Sequence, residues 1–348
     1  MDSRITIDLI SDTVTKPTPE MLEARFRAEV GDDIFEEDPT VKRLEEMAAA
    51  IFGKEAGLFC TSGTLANQLA LNISTSPQDE VICDKLSHIY YYEAAAPAFL
   101  SGISLRMVEG DRGRISPEQI LDNLNPDSIH QPRTRLVSLE NTHNKGGGSV
   151  YPKGRLTEIS QLARANGLGV HLDGARIFNA MTVTGERPQD IGAAVDTMSV
   201  CLSKGLGAPV GSVLLSSRER IVKAKKVRKA LGGAMRQAGY LAAAGIYALE
   251  NNIARLAEDH RRAKVLEKGL SDCSYVSSVL PVETNIVVFN LMQDVSVPDY
   301  LEFLLENGIR AIRFGKHSVR MVTHLHIADE DVNEVCRVVK NFRPLGMT

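Results

Sequence analysis

Short apolar runs, each closed by a polar or glycine-rich turn, alternate with segments of helical spacing along the first two thirds of the chain. The runs at 56–60, 81–83, 136–139, 168–172, 197–202 and 213–215 read as strands. Between them, 65–73, 88–96, a segment opened by Ser116-Pro117, and 156–166 closed by Gly167 read as helices. Upstream, the turn at 15–19 opens a helix to about Glu29 with Met21, Leu22 and Phe26 as its apolar stripe. Asp38 and Pro39 supply an N-cap and first helical residue for a second helix, with Val41, Leu44, Met47 and Ile51 on one face and Gly53 at its end. Strands and helices in this rhythm predict an α/β fold with a mainly parallel sheet between helical layers. In such sheets ligands bind outside the carboxyl ends of strands.

The texture changes after Val227. A long helical stretch, 235–270, reads as one bridging helix or two. Strands at 285–289 and 319–322 and helices at 298–306 and 331–342 follow. The pattern predicts an extended arm at 1–16, a large domain at 17–250 and a smaller C-terminal α+β domain at 251–348. The N-terminal helix has the option of joining the smaller unit.

Composition narrows the partners. The 348 residues carry a net charge of −4 and no basic stripe, which disfavours nucleic acid. The densest basic cluster, 218–229, has helical spacing and on pattern alone is a solvated face. Residues 1–12 lack the basic-then-apolar pattern of a signal peptide, and no run approaches a membrane span. The five cysteines form no metal-ligand spacing, and three sit in apolar runs, which points to buried thiols in a reducing, cytoplasmic setting.

Residues 196–215 carry the central chemical signal: strand, Ser203-Lys204-Gly205, glycine-rich loop, strand. A strand-end lysine is usually a surface residue. Burial would lower an ammonium's pKa and free its amine to form a Schiff base. Three other features stand at strand ends. Ser62-Gly63-Thr64 opens a helix, where backbone N–H groups can hold a phosphate, or simply caps it. Asp173 precedes Gly-Ala-Arg176 and can pair with a protonated pyridine nitrogen or cap the next helix. His88, after Asp84, offers an imidazole to stack on a flat ring or to serve structure. Together they describe a pyridoxal 5′-phosphate site.

The chain resembles the low-specificity L-threonine aldolases, which have the aspartate-aminotransferase-like fold (fold type I of the pyridoxal phosphate enzymes). The resemblance rests on DLISDTVT (8–15), GDD (31–33) with DPT (38–40), SGT (62–64), ENTHN (140–144), HLDGARIF (171–178), CLSKGLG (201–207), GAMRQ (233–237) and VRMVTH (319–324). It implies cleavage of L-threonine, L-allo-threonine and related β-hydroxy-α-amino acids to glycine and an aldehyde. By the same resemblance Lys204 would form the Schiff base, Ser62, Gly63 and Thr64 would bind the phosphate, Asp173 would pair with the ring nitrogen, Arg176 would sit near the ring oxygen and the substrate, and His88 would stack on the ring. Ser11 and Arg320 would take the substrate carboxylate. His88, His143 or a water they position would deprotonate the β-hydroxyl. Lys229 and Arg236 would reach the phosphate of a neighbouring subunit, which implies a homodimer at minimum and a homotetramer by pairing.

Two departures from the family pattern bear on substrate preference. Phe35 stands where relatives carry Tyr, and Lys145-Gly-Gly-Gly-Ser149 lengthens the turn after ENTHN. An amino-acid racemase or β-eliminating lyase on the same scaffold, and a non-catalytic relative, are the competing readings. A cation near Thr13, Thr15 and Ser203 is known in the family, but no liganding cluster is visible in the sequence, so no metal is expected.

Overall fold

The computed structural model describes residues 5–344; the ends of the expected arm and of the C-terminal unit, 1–4 and 345–348, lie outside the described residues. The strands, in chain order, are β1 (Ile7–Asp8), β2 (Ala56–Cys60), β3 (Asp79–Asp84), β4 (Ser104–Val108), β5 (Arg133–Glu140), β6 (Gly169–Gly174), β7 (Thr197–Cys201), β8 (Ser212–Ser216), β9 (Val276–Val279), β10 (Ile286–Leu291), β11 (Ile309–Arg310), β12 (Ile312–Arg313) and β13 (Ser318–Val322). The helices are α1 (Pro19–Phe26), α2 (Pro39–Phe52), α3 (Gly63–Ser74), α4 (His88–Tyr91), α5 (Ala96–Ser101), α6 (Pro117–Leu121), α7 (Arg155–Ala165), α8 (Ile177–Thr184), α9 (Pro188–Ala194), α10 (Arg218–Ala230), α11 (Gly239–Asn251), α12 (Leu256–Ser271), α13 (Val297–Glu306) and α14 (Asp329–Val339).

Seven strands form the large sheet in the order β2-β8-β7-β6-β5-β3-β4. β3 to β7 pair in parallel, and only β8 runs against its neighbours β2 and β7. The carboxyl ends of β2, β3, β5, β6 and β7 therefore share one edge, where Ser62, His88 and Lys204 follow their strands and Glu140 and Asp173 lie in the last residues of theirs. β3 and β7 are buried along their whole length, as near-continuous apolar runs in a helix-covered parallel sheet require.

A second sheet, antiparallel in the order β12-β13-β10-β9, packs with α12, α13 and α14 around Phe289, Tyr300 and Met321. Ile7 and Leu9 join this second core, because β1 pairs in parallel with β11. The N-terminal segment thus crosses to the C-terminal unit through a strand. Its helix α1 instead packs on α11.

Two local readings are corrected, and one left open is decided. The expected helix 88–96 breaks into α4 and α5: Ala94 and Ala95 take left-handed backbone angles (φ 50° and 57°) and Pro97 starts the second helix. The stretch 235–270, read as one bridging helix or two, is two helices separated at Asn252–Arg255. Within the expected arm, the described residues 5–16 are not simply extended, since 12–14 form a 3-10 turn capped by Ser11. No helix among the described residues is long and apolar enough to cross a membrane.

Candidate active site

A cleft of about 360 Å³ opens between the strand-end edge and the C-terminal unit, lined by His88, Asp173, Lys204 and Arg320 among others. Its size suits a small ligand held by a few placed polar groups. Lys204 lies in the turn after β7 and is half-buried, rather than sealed at the end of the strand. It is close enough to Asp12 and Asp173 for its charge to draw both carboxyl pKa values down.

Asp173 is the penultimate residue of β6 and is buried. Burial opposes its ionisation, but His88, Lys204 and an Asn67 hydrogen bond prevail and its pKa is lowered. Asn67, on the buried face of α3, donates Nδ2 to Asp173 (2.8 Å) and to Glu93 (2.9 Å). Its Oδ1 accepts from Ser199 Oγ (2.7 Å) and faces His171 Nε2 (3.1 Å). Burial pushes His171 down to about 4, so that ring is neutral and brings no charge beneath the site. Asp173 forms no ion pair with another described residue. A buried anion in that state calls for a cation.

His88 opens α4. Its backbone N–H donates to Glu140 (2.7 Å), and Nδ1 bonds Glu93 (2.7 Å), which leaves Nε2 as the uncommitted ring nitrogen. Burial disfavours the imidazolium, but Glu93, Asp173 and Glu140 outweigh it and raise the pKa. Gln68 fixes the other oxygen of Glu93 (2.6 Å).

Ser62 is the N-cap of α3, its Oγ accepting from Leu65 N–H (3.1 Å). The N–H groups of Gly63 and Thr64 have no acceptor among the described residues, as the first turn of a helix leaves them. A side chain at position 63 would put Cβ 2.8 Å from Cys201 Sγ, so glycine lets α3 start hard against β7.

Arg320, on β13, donates Nη1 to Asn144 (2.8 Å) and Nη2 to the Ile10 carbonyl (2.9 Å). Its buried Nε has no partner among the described residues. Burial, with Arg176 adding like charge, pushes its pKa down to about 10, so a bound anion would relieve an uncompensated cation. Arg176 is committed differently. Asp12 grips its guanidinium at 2.7 and 2.6 Å, and although burial opposes the charge, Arg176 holds the Asp12 pKa down to about 2. Arg176 and Ser11 both line the cleft.

Other expected residues lie apart. His143 does not line the cleft; it is buried beneath Gly113, where any Cβ would overlap the ring. Its Nε2 faces Asp84 (3.5 Å) and Glu140 (3.8 Å). Burial lowers its pKa, but these carboxylates raise it overall, whereas Gly146 N–H donates into Nδ1 (3.0 Å) and demands a neutral ring. The hydrogen bond decides the tautomer, because one lone pair cannot both accept and carry a proton. Lys229 and Arg236 are exposed outside this cleft, with Arg236 bonded to Asp32 (2.8 Å). Phe35 is also exposed. Lys145, from the glycine-rich departure, lines the cleft. His88, Glu93 and Asp173 bring one ligand atom each within 4.8 Å, a spacing a cation could bridge, which the sequence did not suggest. Their mutual and Asn67-mediated hydrogen bonds account for that convergence.

The donor set fits pyridoxal phosphate: an unpaired buried carboxylate for a protonated ring nitrogen, a lysine at the same cleft, and a helix N-terminus beside the lysine's strand. Asn67, Glu93 and Asp12 were not legible as site residues. The one signal available was their polarity at otherwise buried positions.

The beta-eliminating lyase family matches residues 8–294. The low specificity L-threonine aldolase of Escherichia coli K12 is 40% identical over 332 residues, covering 94% of this chain and 97% of its own. Low-specificity L-threonine aldolase 1 of Arabidopsis thaliana is 40% identical over 335 residues, covering 94% and 93%. Among solved structures, a Leishmania major threonine aldolase superposes with a TM-score of 0.84 at 20% identity, covering 96% and 98% of the two chains.

Proposed function

The chain belongs to the beta-eliminating lyase family, among its low-specificity L-threonine aldolases, and from that premise we propose how its cleft performs the cleavage. The protein is a pyridoxal-phosphate-dependent lyase that cleaves L-threonine to glycine and acetaldehyde. The single observation that carries the residue assignment is the convergence of Lys204, buried Asp173 and the half-committed Arg320 on one cleft.

Bound pyridoxal phosphate supplies the aldehyde that Lys204 captures and an electron-accepting ring for the pair released at Cα. Asp173, kept ionised by its neighbours, holds a proton at the ring nitrogen. The N–H groups of Gly63 and Thr64, with the Ser62 hydroxyl, bind the phosphate. Arg320 takes the substrate carboxylate, its fork oriented by Asn144 and Ile10, and Ser11 lies beside it. Arg176, pinned by Asp12, would hold the ring oxygen. His88 accepts the β-hydroxyl proton at Nε2 while Glu93 fixes Nδ1. The Cα–Cβ bond breaks as the carbonyl forms, and Cα regains a proton. His143 acts through packing at the ENTHN turn.

Lys229 and Arg236 serve the phosphate of a partner subunit, a reading supported by their exposure away from their own cleft and by the exposed Phe26, Phe35 and Tyr240. A homodimer, paired into a tetramer, is the assembly this implies. Four buried free thiols favour a cytoplasmic setting. The domain division at 17–250 and 251–348 is proposed with one amendment, that the N-terminal strand belongs with the second core.

The test is to give the pyridoxal-phosphate-loaded protein L-threonine and L-allo-threonine separately. Glycine and acetaldehyde are expected from both. Formation of 2-oxobutanoate and ammonia instead would mark β-elimination and overturn the assignment.

A further inference from the structure

The cleft carries more positive charge than the cleavage of threonine uses, and any role for the surplus rests on the aldolase reading. Lys204 is consumed by the cofactor and Arg320 by the α-carboxylate. Lys145 and Arg313 line the same cleft, and neither forms an ion pair with a described residue. The two acids of the cleft do not neutralise them. Glu140 accepts from the N–H groups of His88 (2.7 Å) and Asn144 (2.8 Å), and Asp173 is held by Asn67 (2.8 Å) and Ala175 (3.1 Å).

Lys145 is the better placed of the two. Its ammonium donates to the Phe314 carbonyl (3.0 Å) and stands 4.2 Å from the Phe314 ring centroid and 4.7 Å from that of Tyr91. An ammonium has three donors, so this clamp fixes its position and leaves donors over. The guanidinium of Arg320 lies 5.0 Å from the same Phe314 ring. Two cations thus flank one aromatic side chain at one cleft. A substrate whose α-carboxylate sits on Arg320 shares the cleft with Lys145, which stands at the same Phe314 ring. The methyl group of threonine offers that ammonium nothing.

We propose that the cleft accepts β-hydroxy-α-amino acids whose β-substituent is anionic, 3-hydroxyaspartate being the smallest, with Lys145 binding the second carboxylate. The reaction balances without a co-reactant. The β-hydroxyl loses its proton, the Cα–Cβ bond breaks, the β-carbon leaves as the aldehyde of glyoxylate, and Cα gains a proton to give glycine.

The experiment compares 3-hydroxyaspartate with L-threonine on the pyridoxal-phosphate-loaded enzyme, reading glycine together with glyoxylate or acetaldehyde. Calorimetry on the same enzyme compares binding of L-aspartate and L-2-aminobutyrate, which lack the β-hydroxyl. We expect 3-hydroxyaspartate to be cleaved with kcat/KM at least equal to that for threonine. Lys145→Met should lower the ratio of the two kcat/KM values by about tenfold, the scale of one interfacial charge pair, while Lys145→Arg keeps most of it. L-Aspartate should bind more tightly than L-2-aminobutyrate, and Lys145→Met should erase that preference. Threonine cleavage with an unmoved ratio, or with no preference for aspartate, overturns the inference. An aspartate preference without glycine from threonine would sink the aldolase reading and leave the second anion site standing.

Discussion

Glu93 governs the protonation of His88, and His88 is the base in the proposed cleavage. Burial alone would lower the imidazole's pKa, yet the Glu93 hydrogen bond and nearby carboxylates raise it. A base works when deprotonated, so kcat/KM should climb as pH rises through that raised value. Glu93→Gln removes the charge but keeps a hydrogen-bonding oxygen. It should move the acid limb of the pH profile to lower pH by about one unit. A limb that stays in place would separate His88 from the proton transfer. At this scale Lys204, Asp173 and His88 could be read from the sequence because each stands at or just after a strand end, and strand ends converge in a parallel sheet. Asn67, Glu93 and Asp12 could not. Asp12 reaches Arg176 across 164 residues, and Asn67 reaches Asp173 across 106. Such hydrogen bonds leave no local pattern. His143 shows the converse, since a histidine in a telling motif turned out to be packed under Gly113 away from the cleft.

Helices and strands followed the hydrophobic pattern where burial was one-sided. α2 carries its Asp38 cap, Pro39 and terminal Gly53 as the sequence reads them, Asp38 accepting from Thr40 and Val41 N–H. β4 escaped because it is an edge strand whose SLRMV run is largely half-buried or exposed. The break between α4 and α5 escaped because Ala94 and Ala95 are helix formers forced left-handed. α2 also sets a stability term. Its Glu45 accepts from Phe59 N–H (2.7 Å), which ties the helix to β2. Burial, with Asp33 adding like charge, raises the Glu45 pKa from 4.5 to about 7. The folded chain therefore keeps a proton there that the unfolded chain has released. Stability from this group falls as pH rises from 4.5 to about 7 and is level above. Glu45→Gln keeps the acceptor and removes the ionisation. Because the side chain is half-buried, we expect a gain of about 1 kcal/mol at pH 8 and none at pH 4, measured by denaturant unfolding. Equal effects at both pH values would contradict it.

At the scale of the whole molecule, the α/β architecture was legible and the path of the N-terminus was not. β1 and β11 are short strands paired across roughly the full length of the chain, and nothing in either run announces the other. That pairing carries residues 9–12 to the cleft, where Ile10 holds Arg320 and Asp12 holds Arg176. The C-terminal unit returns Arg320 and Phe314 to the same place. The two cores together thus close the site, with Lys204 among its lining residues. The most direct measurement is the yield of glycine and acetaldehyde from L-threonine by the wild type and by Lys204→Ala, each loaded with pyridoxal phosphate and checked for native unfolding behaviour. Equal amounts of the two products from the wild type, and neither from the variant, is the predicted result. Undiminished cleavage by a folded Lys204→Ala protein would contradict it.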